Sequence, residues 1–346
     1  MFFAVFGVNL NDLHTPRPSM NNPRPLIIWR FIDGKSGHEN QTAGLVQALQ
    51  VHRPVEVHDI QAPNSLAAAA AWAIWWFPWG DTLPDPDLLL GAGHATHVPL
   101  LAARRARGGR AVLLMRPSLP SAWFDLCVIP LHDAPRPTEN VIITQGVLNR
   151  VRPGAAKDPR QGLILIGGPS KHHRWSEREV VEQIAQIQAR SASQQRWRLT
   201  TSRRTPPSFV AALNKIIDPA RIEVFPFEQT DAEWLPTQLA WVGTVWVTAD
   251  SVSMVYEALS AGASVGLIDV PAVGEDRVTN GIQSLIDTEI VTSFSHWRSG
   301  AELHPPRQSF SEAARVAREI ILRFFATENG QGEETTSATE DTEDTE

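Results

Sequence analysis

Short apolar runs recur along this chain, each separated from the next by a helical or turn-rich stretch. PLIIWRFID at 25–33 reads as a strand; the glycine-bearing GKSGHEN follows, then a helix with Thr42, Leu45, Val46 and Leu49 at helical spacing. VEVHDI at 55–60, DLLLGAG at 87–93, RAVLLM at 110–115, LCVIP at 126–130 and NVIITQG at 140–146 continue the alternation. Strands that are apolar throughout, with helices between them, predict an open parallel sheet covered on both faces.

The stretch 150–160, rich in Pro, Gly and charge, reads as a linker, after which the pattern restarts. GLILIGG at 162–168 is a strand, and Ser176 with Glu179 forms a capping box for a helix carrying Val180, Val181, Ile184 and Ile187. WRLTTS at 197–202 and IEVFPF at 222–227 are further strands, and LAWVGTVWVT at 239–248 leads through a helix into SVGLIDV at 264–270. SEAARVAREIILRFF at 311–325 is a last amphipathic helix. The expected α/β architecture is two doubly wound, Rossmann-like domains over 25–150 and 161–305 facing a cleft, then a C-terminal helix over 306–326. Residues 1–24 are expected as a loose arm, not a signal peptide, since no basic segment precedes their apolar start.

The helix after residue 248 is the richest in chemistry. Its first turn, led by Ser251 as the expected cap, has N–H groups suited to an anion. Helical spacing puts Val252, Val255, Tyr256 and Leu259 on one side, and Ser253, Glu257 and Ser260 on the other. Glu257, nearly two turns in, suits a pair of sugar hydroxyls better than a phosphate. The alternative is a well-capped core helix whose polar face meets solvent.

Charge changes the picture little. The net charge of −7 is more than accounted for by eight acids within 327–346, a segment without Lys or Arg that is expected as a disordered tail. The nearly neutral body offers no basic stripe for nucleic acid. One cysteine, Cys127, excludes an internal disulfide and fits a reducing, cytoplasmic setting. LAAAAAWAIWWFPWG at 66–80 is too short to span a bilayer, yet it crowds Trp72, Trp75, Trp76 and Trp79 together. It is either a buried helix or a surface that touches lipid or a lipid-linked acceptor, peripheral to the inner face of the membrane.

Ligands of open parallel sheets bind at the strands' carboxyl ends, where four loops stand out. DGKSGH at 33–38 allows close backbone approach and supplies His38 as a candidate base, or merely as an exposed histidine of a capping loop. GAGHATH at 91–97 has Thr96 where a dinucleotide fingerprint needs Gly or Ala, which argues against nicotinamide, and His94 with His97 has no third metal ligand nearby in sequence. GGPSKHHR at 167–174 and SRRT at 202–205 have the glycines and forked arginines of phosphate-binding loops.

LILIGG, FPF at 225–227 and VTADSVSMVYEALSAGASV together resemble the donor half of GT-B glycosyltransferases, in particular the lipid-linked N-acetylglucosamine transferase of peptidoglycan synthesis. That resemblance places Gly37 with His38, and Gly93 with His94, on an acceptor side. It implies Gly168, Ser170, Arg203, Arg204, Ser251, Ser253, Met254 and Glu257 as donor-binding, a nucleotide-sugar co-substrate, and neither metal nor other cofactor. Asp250 and the SRRT loop depart from that transferase. DGKSGHENQ, GAGHATH, LMRPSLP, FDLCVIPLHD, IGGPSK, TSRRTP and VTADSVSMVYEA are closer to the "elongated mitochondria" family of mitochondrial fission proteins, over about residues 25–325. Plant members of that family are implicated in recruiting a dynamin-related protein, so the resemblance implies either a glycosyltransferase-like enzyme or a peripheral scaffold that retains the fold.

Overall fold

The structure, a computed structural model, describes residues 24–154, 156–274 and 277–326; the expected tail at 327–346 and all but the last residue of the expected arm lie outside them. The first half alternates β1 (Leu26–Ile32), α1 (Ser36–Leu49), β2 (Val55–Gln61), α2 (Ser65–Ile74), β3 (Leu88–Ala92), α3 (His97–Arg107), β4 (Arg110–Leu114), β5 (Leu126–Pro130) and β6 (Val141–Thr144). The second runs β7 (Asp158–Leu165), α4 (Glu177–Arg190), β8 (Arg196–Thr200), α5 (Ser208–Leu213), β9 (Ile222–Phe225), α6 (Trp234–Leu239), β10 (Val242–Thr248), α7 (Val252–Ser260), β11 (Ser264–Ile268), α8 (Arg277–Asp287), β12 (Thr292–Ser293) and α9 (Phe294–Arg298). The sheets are six-stranded, in the orders β2-β1-β3-β4-β5-β6 and β12-β11-β10-β7-β8-β9, and every strand pair is parallel.

Burial follows from that topology. Central strands β3 and β5 are buried at every residue, as the covered faces of a parallel sheet require, whereas edge strand β2 buries only Ile60. Two details depart from the sequence reading. Strand β7 begins at Asp158, inside the expected linker, because that residue already pairs with Val242 of β10. The last helix, α10 (Glu312–Phe324), returns to the first domain: Val316, Ala317 and Ile320 pack with Leu26, Leu45 and Leu49, and Arg315 Nη2 donates to the Ile143 carbonyl at 2.7 Å. Its apolar stripe therefore covers the first sheet and not the second.

Helix α2 resolves its two alternatives toward the surface. It is apolar at every position after Ser65, yet its only buried residues are Ala68 and Ala71. Leu66, Trp72, Ile74, Trp75, Trp76 and, just beyond, Trp79 are all exposed, Trp75 by 63%. The Arg105 guanidinium from α3 lies between the Trp72 and Trp75 rings, 4.0 and 3.9 Å from their centroids, and fixes the pair in place. Among the described residues no helix is long and apolar enough to cross a membrane.

Candidate functional site

The carboxyl-end loops of the two sheets face one another and touch, Asn40 with Glu257 and Ser36 with Arg203. On the first-domain side, β1 hands the chain to α1 through Asp33 and Gly34. Asp33 is almost fully enclosed, its side chain 2% exposed, and both its oxygens are engaged: Oδ1 accepts from Lys35 N at 3.2 Å and Oδ2 lies 2.8 Å from His38 Nδ1. A carboxylate only accepts, so it holds the imidazole proton on Nδ1 and leaves the Nε2 lone pair to face outward. The imidazole lies against Gly93, where φ is +80° and a Cβ would come 2.2 Å from His38 Cε1. Glycine is required there twice over, for the left-handed backbone and for the ring. Gly37, by contrast, has open space where a Cβ would stand.

On the second-domain side, α7 follows β10. Ser251 precedes its first turn but makes no side-chain capping hydrogen bond, which corrects the expected cap. The first-turn N–H groups therefore have no side-chain acceptor from this residue. Ser253 is exposed, Met254 is partly buried, and Glu257, one turn beyond Ser253 on the same face, reaches the first domain: Asn40 Nδ2 of α1 donates to Glu257 Oε1 at 3.0 Å. Enclosure between the domains, partly offset by the Asn40 hydrogen bond, pushes the Glu257 carboxyl up to about 7, although solvent still reaches part of the residue. Ser260 corrects the expected polar face. It is buried at the domain junction, where it accepts from Asn149 Nδ2 at 2.9 Å and donates to the Phe310 carbonyl at 3.1 Å.

The two basic loops divide differently from expectation. Arg204 Nη2 is 2.7 Å from Asp250 Oδ2, and its Nη1 donates to the Gly168 and Pro169 carbonyls at 2.8 and 3.2 Å. Gly168 N donates to the same Asp250 oxygen at 3.0 Å, and a Cβ on Gly168 would stand 2.3 Å from the Arg204 carbonyl. Ser170 Oγ accepts from His172 N and His173 N within its own turn, at 3.3 and 3.2 Å. Gly168 and Arg204 thus tie the loops to one another at the head of α7 while Ser170 stabilises its own turn, and the expected arginine pair is split. Arg203 alone crosses the cleft, donating from Nη2 to Ser36 Oγ at 2.6 Å.

The sequence profile of mitochondrial fission ELM1 matches residues 36–324. The chain belongs to this family. Mitochondrial fission protein ELM1 of Arabidopsis thaliana is 24% identical over 249 residues, and the chain spans only 56% of that relative's length. In fold, the ELM1-family chain is similar to a Listeria monocytogenes protein proposed to be a UDP-N-acetylglucosamine 2-epimerase, at TM-score 0.54 and 13% identity, covering 86% of this chain and 96% of the other. Acinetobacter baumannii MurG gives TM-score 0.46 and 12% identity over 86% and 90% of the two chains. Two parallel sheets in this arrangement are GT-B-like.

Several site residues of this ELM1-family member escaped the sequence reading. Asp33 sits five residues before His38, at the carboxyl end of a strand, and that spacing across a strand-to-helix turn was the available signal. Asn40 carried none, because its partner Glu257 is 217 positions away. Asp250 was noted only as a departure from a related pattern. Its side chain is fully enclosed, with Oδ1 lacking a hydrogen-bond partner, and its pairing with Arg204 joins loops 46 positions apart.

Proposed function

We propose that the cleft binds a nucleotide-activated sugar and transfers the sugar to an acceptor hydroxyl, with no metal required. The observation that carries this reading is the Asn40 to Glu257 contact, which sets an enclosed carboxylate of the second domain against the helix that bears His38. Glu257 receives the ribose hydroxyls in place of Asn40. The uncapped first turn of α7 around Ser251, Ser253 and Met254, with Arg203, receives the diphosphate. His38 Nε2, oriented by Asp33, takes the acceptor proton. The acceptor oxygen attacks the anomeric carbon, the bond from that carbon to the diphosphate oxygen breaks, and the diphosphate leaves with the electron pair beside a helix dipole that stabilises it. A nucleotide-sugar ligand is supported by the UDP-sugar chemistry proposed for the Listeria protein of similar fold. The exposed Trp72, Trp75, Trp76 and Trp79 seat the protein on a membrane surface, on its cytoplasmic side, where a lipid-linked acceptor would present its hydroxyl.

A thermal-shift panel of nucleotides and nucleotide sugars tests the reading. A ligand at a hundred times its Kd adds about 2.7 kcal/mol of stability, and Glu257→Ala abolishes the gain. No shift with any nucleotide overturns it. The internal use of Gly168, Ser170 and Arg204 favours a second reading, a membrane-peripheral adaptor that keeps the fold without turnover. In that case nucleotide binds, if at all, with no sugar released or transferred over many hours.

A further inference from the structure

Ser118, His94 and His97 form a hydrogen-bonded chain at the carboxyl ends of β3 and β4 that the proposed transfer leaves without a role. Ser118 Oγ lies 2.7 Å from His94 Nδ1 and 3.2 Å from His97 Nδ1. The two imidazoles meet edge to face at 5.3 Å, and His97 also packs edge to face on Phe124 at 5.9 Å. His97 is buried, and its pKa falls to about 4, first from loss of hydration and then from His94. It therefore stays neutral. Its Nδ1–H can then donate to Ser118 Oγ, the Ser118 hydroxyl donates to His94 Nδ1, and His94 carries its proton on Nε2, the ring nitrogen left outside the chain.

The loop that brings Ser118 here is held in an unfavourable backbone. Met115 has φ +74°, a left-handed conformation costly for an unbranched non-glycine residue, and its N–H donates to the Val128 carbonyl at 2.8 Å. Arg116 on the same loop is exposed and anchored through Nη1 to the Asp133 carbonyl at 3.1 Å. His94 itself is exposed and is the residue next to Gly93, whose backbone carries the His38 ring. Two imidazoles on adjacent loops are thus each held at Nδ1, one by a carboxylate and one by a serine, with both Nε2 atoms available for a ligand.

We propose that His94, oriented by Ser118, binds a phosphate group carried by the acceptor, beside the hydroxyl that His38 deprotonates. With its proton on Nε2, His94 is a donor suited to a phosphate oxygen, and Arg116 adds charge at the same loop. Ser118 is a positioning residue. The assignment rests on the transfer reading for the word acceptor, but the phosphate site itself does not.

The test uses the full chain with ring-15N histidines, the His94 signals being those lost in His94→Gln. Inorganic phosphate is expected to move the His94 Nε2 signal of the wild type, and His94→Gln to weaken phosphate binding about tenfold. Ser118→Ala is expected to release His94 from its single Nε2–H tautomer and weaken phosphate binding several-fold, while its thermal shift with nucleotide stays that of the wild type. An unmoved His94 signal, or equal phosphate affinity in His94→Gln, overturns the proposal. Nucleotide binding measured on the same samples separates the failures: nucleotide bound with His94 unmoved sinks only the phosphate site, and the converse sinks only the transfer reading. Glycerol 3-phosphate and phosphatidylcholine vesicles with or without phosphatidic acid distinguish a soluble from a lipid phosphate, each scored by the loss in His94→Gln. Loss in neither arm counts against the site.

Discussion

The two halves of the cleft place glycine-rich and basic loops at equivalent strand ends, yet they use them in opposite ways. In the first half the loops bring Asp33, His38, Gly93, His94 and Ser118 together so that ring nitrogens stay available. In the second half, Gly168, Arg204 and Asp250 bond to one another and Ser170 bonds within its own turn, so that of the candidate residues Arg203, the α7 first turn and Glu257 remain directed at the cleft or across it. A loop's composition says that it can approach a ligand. Whether its polar groups are already engaged depends on which other loop lies beside it.

The strongest way to break this contrast is to remove the first-half base. His38→Gln should lower turnover by about 10²–10⁴-fold while leaving nucleotide binding intact, read as initial rate against thermal shift on the same protein. Gly93→Ala should lower turnover as well, because its methyl would occupy the space of the His38 ring. Equal rates in His38→Gln and wild type would move the chemistry elsewhere.

In the second half the largest effect should be on stability. Arg204→Ala leaves the Asp250 carboxylate enclosed without its charge partner, a loss of about 3 kcal/mol in denaturant unfolding, toward the low end for buried pairs because the guanidinium is 40% exposed. Arg204→Ala combined with Asp250→Ala should recover part of it, whereas Arg203→Ala should change stability by less than about 1 kcal/mol and weaken nucleotide binding instead. Similar stability losses from the two arginines would erase the distinction drawn between them.

Glu257 joins the two halves and gives a pH signature. The folded chain holds the Glu257 proton up to about 7, against an ordinary 4.5. Between those values the folded state binds more protons than the unfolded one, so this group's contribution to stability falls as pH rises, by about 1–3 kcal/mol in all. Glu257→Gln should flatten that part of the pH–stability curve. Ribose hydroxyls favour the ionised carboxylate, so nucleotide affinity should rise with pH until it levels off above about 7. The smallest effect is expected far from the cleft: Trp75→Ala with Trp76→Ala should reduce vesicle co-sedimentation with a stability change of about 1 kcal/mol or less, since both rings are already exposed.

Strand and helix periodicity was legible because central parallel strands such as LLLGA and LCVIP are buried on both faces, so nearly every residue must be apolar. The second sheet followed from the restart of the strand pattern, and His38 and Glu257 were singled out because each follows the end of a strand. Local pattern carried less where a segment's partner is remote. The amphipathic stripe of α10 was evident, but not that it would cover the first sheet, and the apolar α2 gave no sign of which side it shows to water.

The sequence by itself determined the order of strands and helices, the restart of the pattern in the second half, and the residue types at each strand end, because these depend on spacings of a few residues. The tertiary structure alone decided which of those residues stay available. Arg204 is committed to Asp250, Ser118 to His94 and His97, and Asn40 to Glu257, through contacts spanning 21 to 217 positions. Such contacts depend on how two sheets and their loops come together in space, which no local periodicity encodes.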